Sequence, residues 1–354
     1  MGKNSRLPLS LCMIVKNEAD FLEISLSSVK AAGVFDEIVV ADTGSLDASK
    51  EIALSFGAKV YDFVWCDDFS AARNFAADKA SRDWVFMLDA DEEITSISGS
   101  ELTEFMKDTS AAGFAARVEL TDNAVNYETR LYNKRVNHYK GTIHEQIVPI
   151  DPGAANIIKN APIRLLHHGY LPEYNRTMER LARNETMLLK SLCESPDDPY
   201  ILYQLGKSYF CAGRDLSKAC EYFEMSLDLK PNPDLAYVYN MVECYGYALI
   251  NTGQAKKALK LRSRYRLYYN SNPQFRFLSG HIFQENGMLP EAVECYESCI
   301  GADAIDYRGI TGHMAYYNIG VILEVIGMTE EAKGMYKQCG EYEPAKARLE
   351  ILTK

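Results

Sequence analysis

Two aspartates one residue apart, Asp89-Ala90-Asp91, directly follow the apolar run Trp84-Val85-Phe86-Met87-Leu88. Such a run reads as a buried strand, and its end delivers both carboxylates to one edge of a sheet. Hard oxygen ligands in that place suit Mg²⁺ or Mn²⁺ shared with a diphosphate. On its own an aspartate pair is a weak signal; its weight depends on the elements that would have to position it.

Those elements come in order. From Leu9 to about Asp91, short apolar runs alternate with helical periodicity, the pattern of a parallel α/β sheet. Strands are predicted at Leu9–Val15, Glu37–Ala41, Lys59–Phe63 and Trp84–Leu88, and helices at about Glu18–Ala31, Asp47–Phe56 and Phe69–Ala80. Gly33 and Gly57 stand where the first two helices need a left-handed residue to stop. In a β-α-β sheet of this kind, ligands gather at the carboxyl ends of the strands. Further strands are predicted at Gly113–Leu120, Tyr127–Tyr132, Ile143–Val148 and Ile163–Leu166, as additions that make the sheet mixed.

Beyond Tyr170 nearly everything reads as helix, and a repeat emerges. Its small residues are Gly206, Gly213 and Ala219; Gly246, Gly253 and Ala258; Gly280, Gly287 and Ala292; Gly320, Gly327 and Ala332. An aromatic follows the alanine by four residues in three copies, as Phe223, Tyr296 and Tyr336, whereas the second copy has Arg262 there. The pattern resembles the tetratricopeptide repeat, in which small residues let two antiparallel helices approach and an aromatic fills the gap.

Three segments precede the aspartate pair: Cys12-Met13-Ile14-Val15-Lys16-Asn17-Glu18, Val40-Ala41-Asp42-Thr43-Gly44-Ser45-Leu46-Asp47, and Ala71-Ala72-Arg73-Asn74. With Asp89-Ala90-Asp91 they resemble glycosyltransferase family 2, over residues 9–93 and more loosely to about 170. The resemblance implies a GT-A nucleotide-sugar domain over 1–170, followed by a tetratricopeptide solenoid of about four repeats over 171–354. The combination is similar to bacterial peptide and protein glycosyltransferases. It implies Mn²⁺ or Mg²⁺ as cofactor, a UDP-sugar as donor, and a peptide or protein side chain as acceptor, a Ser/Thr hydroxyl or a Cys thiol.

Residue by residue, the resemblance assigns Asp42 to the nucleobase ring N–H and Arg73 to a base carbonyl, a pairing that suits uracil. Val15, Asn17 and Glu18 would line the base and ribose. Asp89 and Ala90 would lie beside the ribose, with Asp89 also toward the metal and Asp91 directly on it. A late histidine is expected to complete the metal shell, for which His167 and His168 qualify. Neighbouring strand residues point to opposite faces, so one of the two should reach the metal, and His167 is the choice. The loop Gly141-Thr142-Ile143-His144-Glu145 supplies the catalytic candidates: Glu145 as the general base of an inverting transfer, or His144 in its place.

Composition narrows the alternatives. A formal charge of -11 leaves no surplus of Lys and Arg for a nucleic-acid backbone. Lys16-Asn17-Glu18-Ala19 lacks the glycine-rich turn of a dinucleotide oxidoreductase. Nine cysteines without a CxxC pair suit a reducing compartment, so the expected location is cytoplasmic. No stretch approaches the roughly 20 apolar residues of a membrane span, and Leu7–Val15 runs into Lys16 without a signal-peptide cleavage site. Two other readings compete: a transferase that elongates a cell-surface glycan, and an interaction protein whose transferase domain is vestigial. The repeats could also pair two copies of the chain. The basic run Lys256, Lys257, Lys260, Arg262, Arg264 and Arg266 reads as a solvated face or as a dock for an acidic acceptor.

Overall fold

In the computed structural model the chain divides into two compact units, residues 1–187 and 188–354. The structure describes residues 6–119, 125–168, 177–302 and 309–353. The predicted domain limit at residue 170 and the predicted end of a strand at Leu120 lie outside the described residues.

The first unit is built on β1 (Leu9–Val15), β2 (Glu37–Asp42), β3 (Lys59–Asp62) and β4 (Trp84–Met87), with α1 (Ala19–Ala32), α2 (Ser49–Ser55) and α3 (Phe69–Lys79) between them. Then come β5 (Glu92–Ile97), α4 (Gly99–Phe105), β6 (Ala111–Glu119), β7 (Val125–Asn133), β8 (Asn137–Lys140), β9 (Gln146–Pro149) and β10 (Ile157–His167). Eight strands share one sheet in the order β3-β2-β1-β4-β7-β6-β10-β5, and β8 pairs with β9 in a small second sheet. The four strands from β3 to β4 run parallel, β7 turns antiparallel against β4, and β10 runs parallel to β6. The predicted mixed sheet is thus present.

Alternation along β1 explains the layering. Leu9, Leu11, Met13 and Val15 enter one core with Leu22, Leu26 and Val29 of α1. Cys12 enters the opposite core with Ala76, Ala77 and Ala80 at the α3 side, as a period of two requires. Leu11 and Met13 are fully buried, each stabilising the fold by roughly 1.5–3 kcal/mol. The small side chains of α3 let it lie close against β1 and β2. Gly33 ends α1 with a φ of 64°, its N–H donating to the Val29 carbonyl. In β6 Gly113 has no substitute, because a Cβ there would stand 2.9 Å from both the Ala161 Cβ and the Phe105 ring.

The predicted strand Ile143–Val148 begins later than expected, at Gln146. His144 adopts a left-handed backbone, φ 54°, which breaks extended geometry before Glu145. The predicted Ile163–Leu166 is the far half of the longer β10, whose first four residues, Ile157-Ile158-Lys159-Asn160, are exposed.

The second unit is helical. After α5 (Thr177–Glu194), which begins in the first unit, four consecutive helix pairs follow: α6 (Pro199–Ala212) with α7 (Leu216–Asp228), α8 (Ala236–Asn251) with α9 (Ala255–Tyr269), α10 (Pro273–Glu285) with α11 (Leu289–Glu297), and α12 (His313–Val325) with α13 (Thr329–Gln338). α14 (Glu343–Thr353) comes last. Asp198-Pro199 and Asn272-Pro273 open α6 and α10 in the same way: the side chain accepts a backbone N–H and proline takes the first helical turn.

The repeat glycines face the aromatics as predicted. A Cβ on Gly206, Gly280 or Gly320 would come within 2.6–2.7 Å of Phe223, Tyr296 or Tyr336. The second repeat solves the same problem differently. A Cβ on Gly246 would come within 2.7 Å of Leu278 in the following repeat, and Arg262 lays its guanidinium 4.4 Å from the centre of the Phe283 ring. Other members of the basic run are also engaged, Lys257 with Glu224 at 2.6 Å and Arg264 with the Leu227 carbonyl at 3.0 Å.

Candidate functional site

The carboxyl ends of β1, β2 and β4 meet at a cleft of about 570 Å³. Val15, Asn17, Glu18, Arg73, Asp89, Ala90, Asp91 and His167 line it, together with Ile14, Lys16, Thr43, Trp65, Phe69, Arg117, Arg180 and Arg183. Asp42, His144 and Glu145 stand outside that lining.

The loop after β2 organises the end of β1. Ser45 Oγ accepts from Asn17 N–H at 3.0 Å, Ser49 Oγ from Glu18 N–H at 2.9 Å, and Asp47 from Ala19 N–H at 3.1 Å. These bonds satisfy amides at the start of α1. Asn17, held at φ 53°, returns one bond by accepting the Leu46 N–H at 2.7 Å. Asp42 Oδ1 accepts Gly44 and Ser45 N–H groups, both at 3.0 Å, while Oδ2 is buried with no hydrogen-bond partner among the described residues. Burial pushes this carboxyl up, but the bonds from Ser45 and Gly44 and the Lys50 ammonium at 3.4 Å outweigh it and hold it below the usual carboxylate range. A buried anionic oxygen without a donor is an acceptor position for a ligand N–H.

Under the cleft runs a chain of alternating charge. Glu145 pairs with Arg73 Nε, Arg73 Nη1 lies 2.9 Å from Asp89 Oδ1, and Arg130 Nη2 bridges Asp89 Oδ2 at 2.6 Å and Glu92 Oε1 at 2.8 Å. Glu92 also accepts the Asp89 N–H at 3.0 Å and lies 3.6 Å from Arg117. Burial raises the Asp89 carboxyl, yet Arg130 and Arg73 outweigh it and keep it well below the usual range. For Glu92 burial wins and the value is raised, because the Asp89 charge opposes ionisation alongside Arg130's support for it.

The two aspartates therefore differ in kind. Both Asp89 oxygens are engaged by guanidinium groups, so it is a fixed, charge-compensated acceptor. Asp91 faces His167 instead, Oδ2 to Nε2 at 3.2 Å. His168 turns to Glu93 at 3.0 Å and stacks on Phe21. No group of three or more His, Cys, Asp or Glu among the described residues could hold a metal ion. The Asp91 oxygen and the His167 nitrogen, now paired with one another, are of the donor types that Mn²⁺ or Mg²⁺ takes together with phosphate and water.

Helix α3 pins the 139–145 segment along its length. Phe69 N–H donates to the Thr142 carbonyl at 2.8 Å, Asn74 exchanges two bonds with the Tyr139 backbone at 2.8 and 2.9 Å, and Arg73 takes Glu145. Asn74 thus acts as a strand edge in side-chain form.

Sequence reasoning missed Glu92 and Arg130, two buried charges in strands, the half-buried Arg117 beside them, and Arg180 and Arg183 on α5. An arginine in an apolar strand, as in Thr129-Arg130-Leu131, is the signal that could have found the first group, since a buried charge needs a partner.

Residues 10–162 match the profile of Glycosyl transferase family 2, and residues 273–306 match a tetratricopeptide repeat. A TPR repeat-containing protein of Synechococcus elongatus is 33% identical over 241 residues, which are 65% of this chain and 59% of that protein. The SPbeta prophage-derived glycosyltransferase SunS of Bacillus subtilis is 26% identical over 239 residues, 64% of this chain and 55% of that protein. An uncharacterized glycosyltransferase of Rickettsia bellii is 31% identical over 156 residues, 40% of this chain and 52% of that protein. The chain spans little more than half the length of these relatives. The segment from residue 10 to 162 is a glycosyltransferase family 2 domain, and the chain joins it to tetratricopeptide repeats.

Proposed function

We propose that the protein is an inverting, metal-assisted glycosyltransferase that moves a sugar from a UDP-sugar to a peptide or protein side chain. The observation that carries the reading is the cleft at the carboxyl edge of β1 and β4, where Asp91 meets His167 beside an Asp89 fixed by two arginines. Asp91 and His167 would hold Mg²⁺ or Mn²⁺, whose charge neutralises the departing diphosphate. Asp42, with its unpartnered buried oxygen, takes the uracil N–H. Arg73, oriented from both sides by Asp89 and Glu145, presents its guanidinium to a base carbonyl. Val15, Asn17 and Glu18 line base and ribose, and Asp89 accepts a ribose hydroxyl beside Ala90.

In a single displacement the acceptor oxygen or sulfur attacks the anomeric carbon while the bond to the diphosphate breaks. Glu145 or His144 takes the acceptor's proton. A thiol needs that help less, being partly thiolate near neutral pH. The repeats support a peptide or protein acceptor, because arrays of this kind offer extended surfaces to chains. No helix among the described residues is long and apolar enough to cross a membrane, and the nine cysteines are free, which suits the cytoplasm.

Calorimetry of UDP and GDP with and without Mn²⁺ tests the reading. Metal-dependent preference for UDP is expected, lost in Asp91→Ala with little change in melting temperature. Binding of neither nucleotide overturns the reading in favour of an interaction protein. Transfer to glycans but not to peptides redirects it to cell-surface elongation. Sedimentation of the same preparation tests pairing of two copies through the repeats.

A further inference from the structure

Two arginines of α5, Arg180 and Arg183, line the same cleft as Asp89 and Asp91. Three residues apart on a helix, they are neighbours on one face, about 5–6 Å between Cβ atoms. Neither has a carboxylate within ion-pair distance among the described residues, in contrast to Arg73, Arg117 and Arg130, each of which is matched to an acid. Arg183 is held in place without a close ion pair, the Glu18 carboxylate acting on it only at longer range. Its guanidinium sits 5.2 Å from the centre of the Phe69 ring, which packs edge-on against Trp65 at 4.9 Å, and it donates to Asn184 Oδ1 at 3.2 and 3.0 Å.

We infer that Arg180 and Arg183 are a receptor for the diphosphate of the donor nucleotide, a role that rests on the nucleotide-sugar reading above. Planar guanidinium groups recognise phosphate oxygens in bidentate fashion. Two like charges set side by side repel one another, and a dianion placed between them converts that repulsion into attraction. Burial first and the neighbouring Arg180 second lower the Arg183 guanidinium, outweighing the support it receives from the Glu18 carboxylate across the cleft. The aromatic pair beneath Arg183 fixes its direction, so little side-chain freedom is lost when phosphate arrives.

The geometry divides the work within the cleft. On that reading the Arg73 side, with Asp42 just outside the lining, would recognise the base, Asp91 and His167 would hold the metal, and the α5 arginines would meet the diphosphate from a third element. They would also stabilise the nucleoside diphosphate as the glycosidic bond breaks and charge gathers on its terminal phosphate.

The test is calorimetric titration of the full chain with UDP and with UMP, in EDTA and again with Mn²⁺, for wild type and for Arg180→Gln/Arg183→Gln. Wild type is expected to bind UDP more tightly than UMP even in EDTA. The double variant should lose about tenfold or more in UDP affinity while UMP stays within about twofold, and its UDP affinity should depend less steeply on salt. Arg180→Lys/Arg183→Lys should retain part of the margin. An unchanged preference for UDP over UMP in the glutamine variant overturns the proposal and leaves the nucleotide reading standing. Equal weakening of both nucleotides also overturns it, by assigning the pair to the base or to folding. Unchanged UDP affinity with a raised acceptor KM overturns it in favour of the acceptor. Wild type that binds neither nucleotide removes the nucleotide reading itself, before any substitution is made.

Discussion

Replacing Arg130 by methionine should destabilise the first unit more than any loss of packing would explain. The side chain is 6% exposed, and Glu92, which it pairs at 2.8 Å, is completely buried. Without Arg130, Glu92 keeps the Asp89 N–H at 3.0 Å but no cation nearer than Arg117 at 3.6 Å, and Asp89 loses the partner of one oxygen. Breaking a buried pair by removing one member costs about 3–5 kcal/mol. For a unit of this size each kcal/mol lowers the melting temperature by about 2–4 °C, so the expected fall is roughly 6–20 °C. The loss should depend on pH. Burial already raises the Glu92 carboxyl above its ordinary 4.5, and removal of the cation raises it further. A carboxyl with a raised folded value binds protons on folding, so its contribution is fully present below 4.5 and is lost as pH rises through the folded value. Arg130→Met should therefore lie nearest wild type in acid and fall away toward neutrality. Thermal and urea denaturation across that range, with Arg130→Met/Glu92→Gln as partner, is the assay. The double variant should recover much of the loss. A pH-independent effect below about 1 kcal/mol would refute the reasoning.

Glu145→Gln and His144→Ala separate the two catalytic candidates. Because Glu145 holds Arg73, its substitution should weaken UDP binding as well as turnover, whereas a base acting alone would lower kcat with UDP affinity intact. Turnover by His144→Ala at wild-type rate would leave the base role to Glu145. Gly280→Ala should destabilise the repeats by up to about 2 kcal/mol, since overpacking at the Tyr296 ring costs about 1–3 kcal/mol and helix propensity returns about 1 kcal/mol; a urea midpoint above wild type would show that the contact yields. Asn74→Ala should loosen the 139–145 segment, seen as faster amide exchange at Tyr139, and unchanged exchange would mean the segment is held by Phe69 and Arg73 alone.

The parts of the fold that were legible in the sequence are those with strong period. β1 to β4 and α1 to α3 agree with the predicted elements to within a residue or two at each end, because buried parallel strands are continuous apolar runs and their helices carry stops such as Gly33. β5 was not predicted: it opens with Glu92-Glu93, which reads as loop, and is a strand because Glu92 is neutralised by arginines distant in sequence. α4 and β8 were too short to show a period. In the site, residues at strand ends could be named because topology sends them to one edge. The charge network could not be read, since Arg117, Arg130 and Glu92 come together only through the order β4-β7-β6-β10-β5. His167 and His168 illustrate both sides: alternation sends them to different partners, but the identity of those carboxylates, Asp91 and Glu93, required the β5–β10 pairing.

The second helical repeat has a bearing on how such an array can change length. Where a repeat closes the space above its glycine with its own aromatic, the whole repeat can be lost or copied without leaving a hole. Gly246 is covered by Leu278, and Arg262 rests on Phe283, so the second repeat is completed by residues of the third. Excising the third repeat would strip the second of both contacts, and inserting a standard repeat between them would do the same. In this chain the middle two repeats therefore behave as one structural unit, to be moved or removed together.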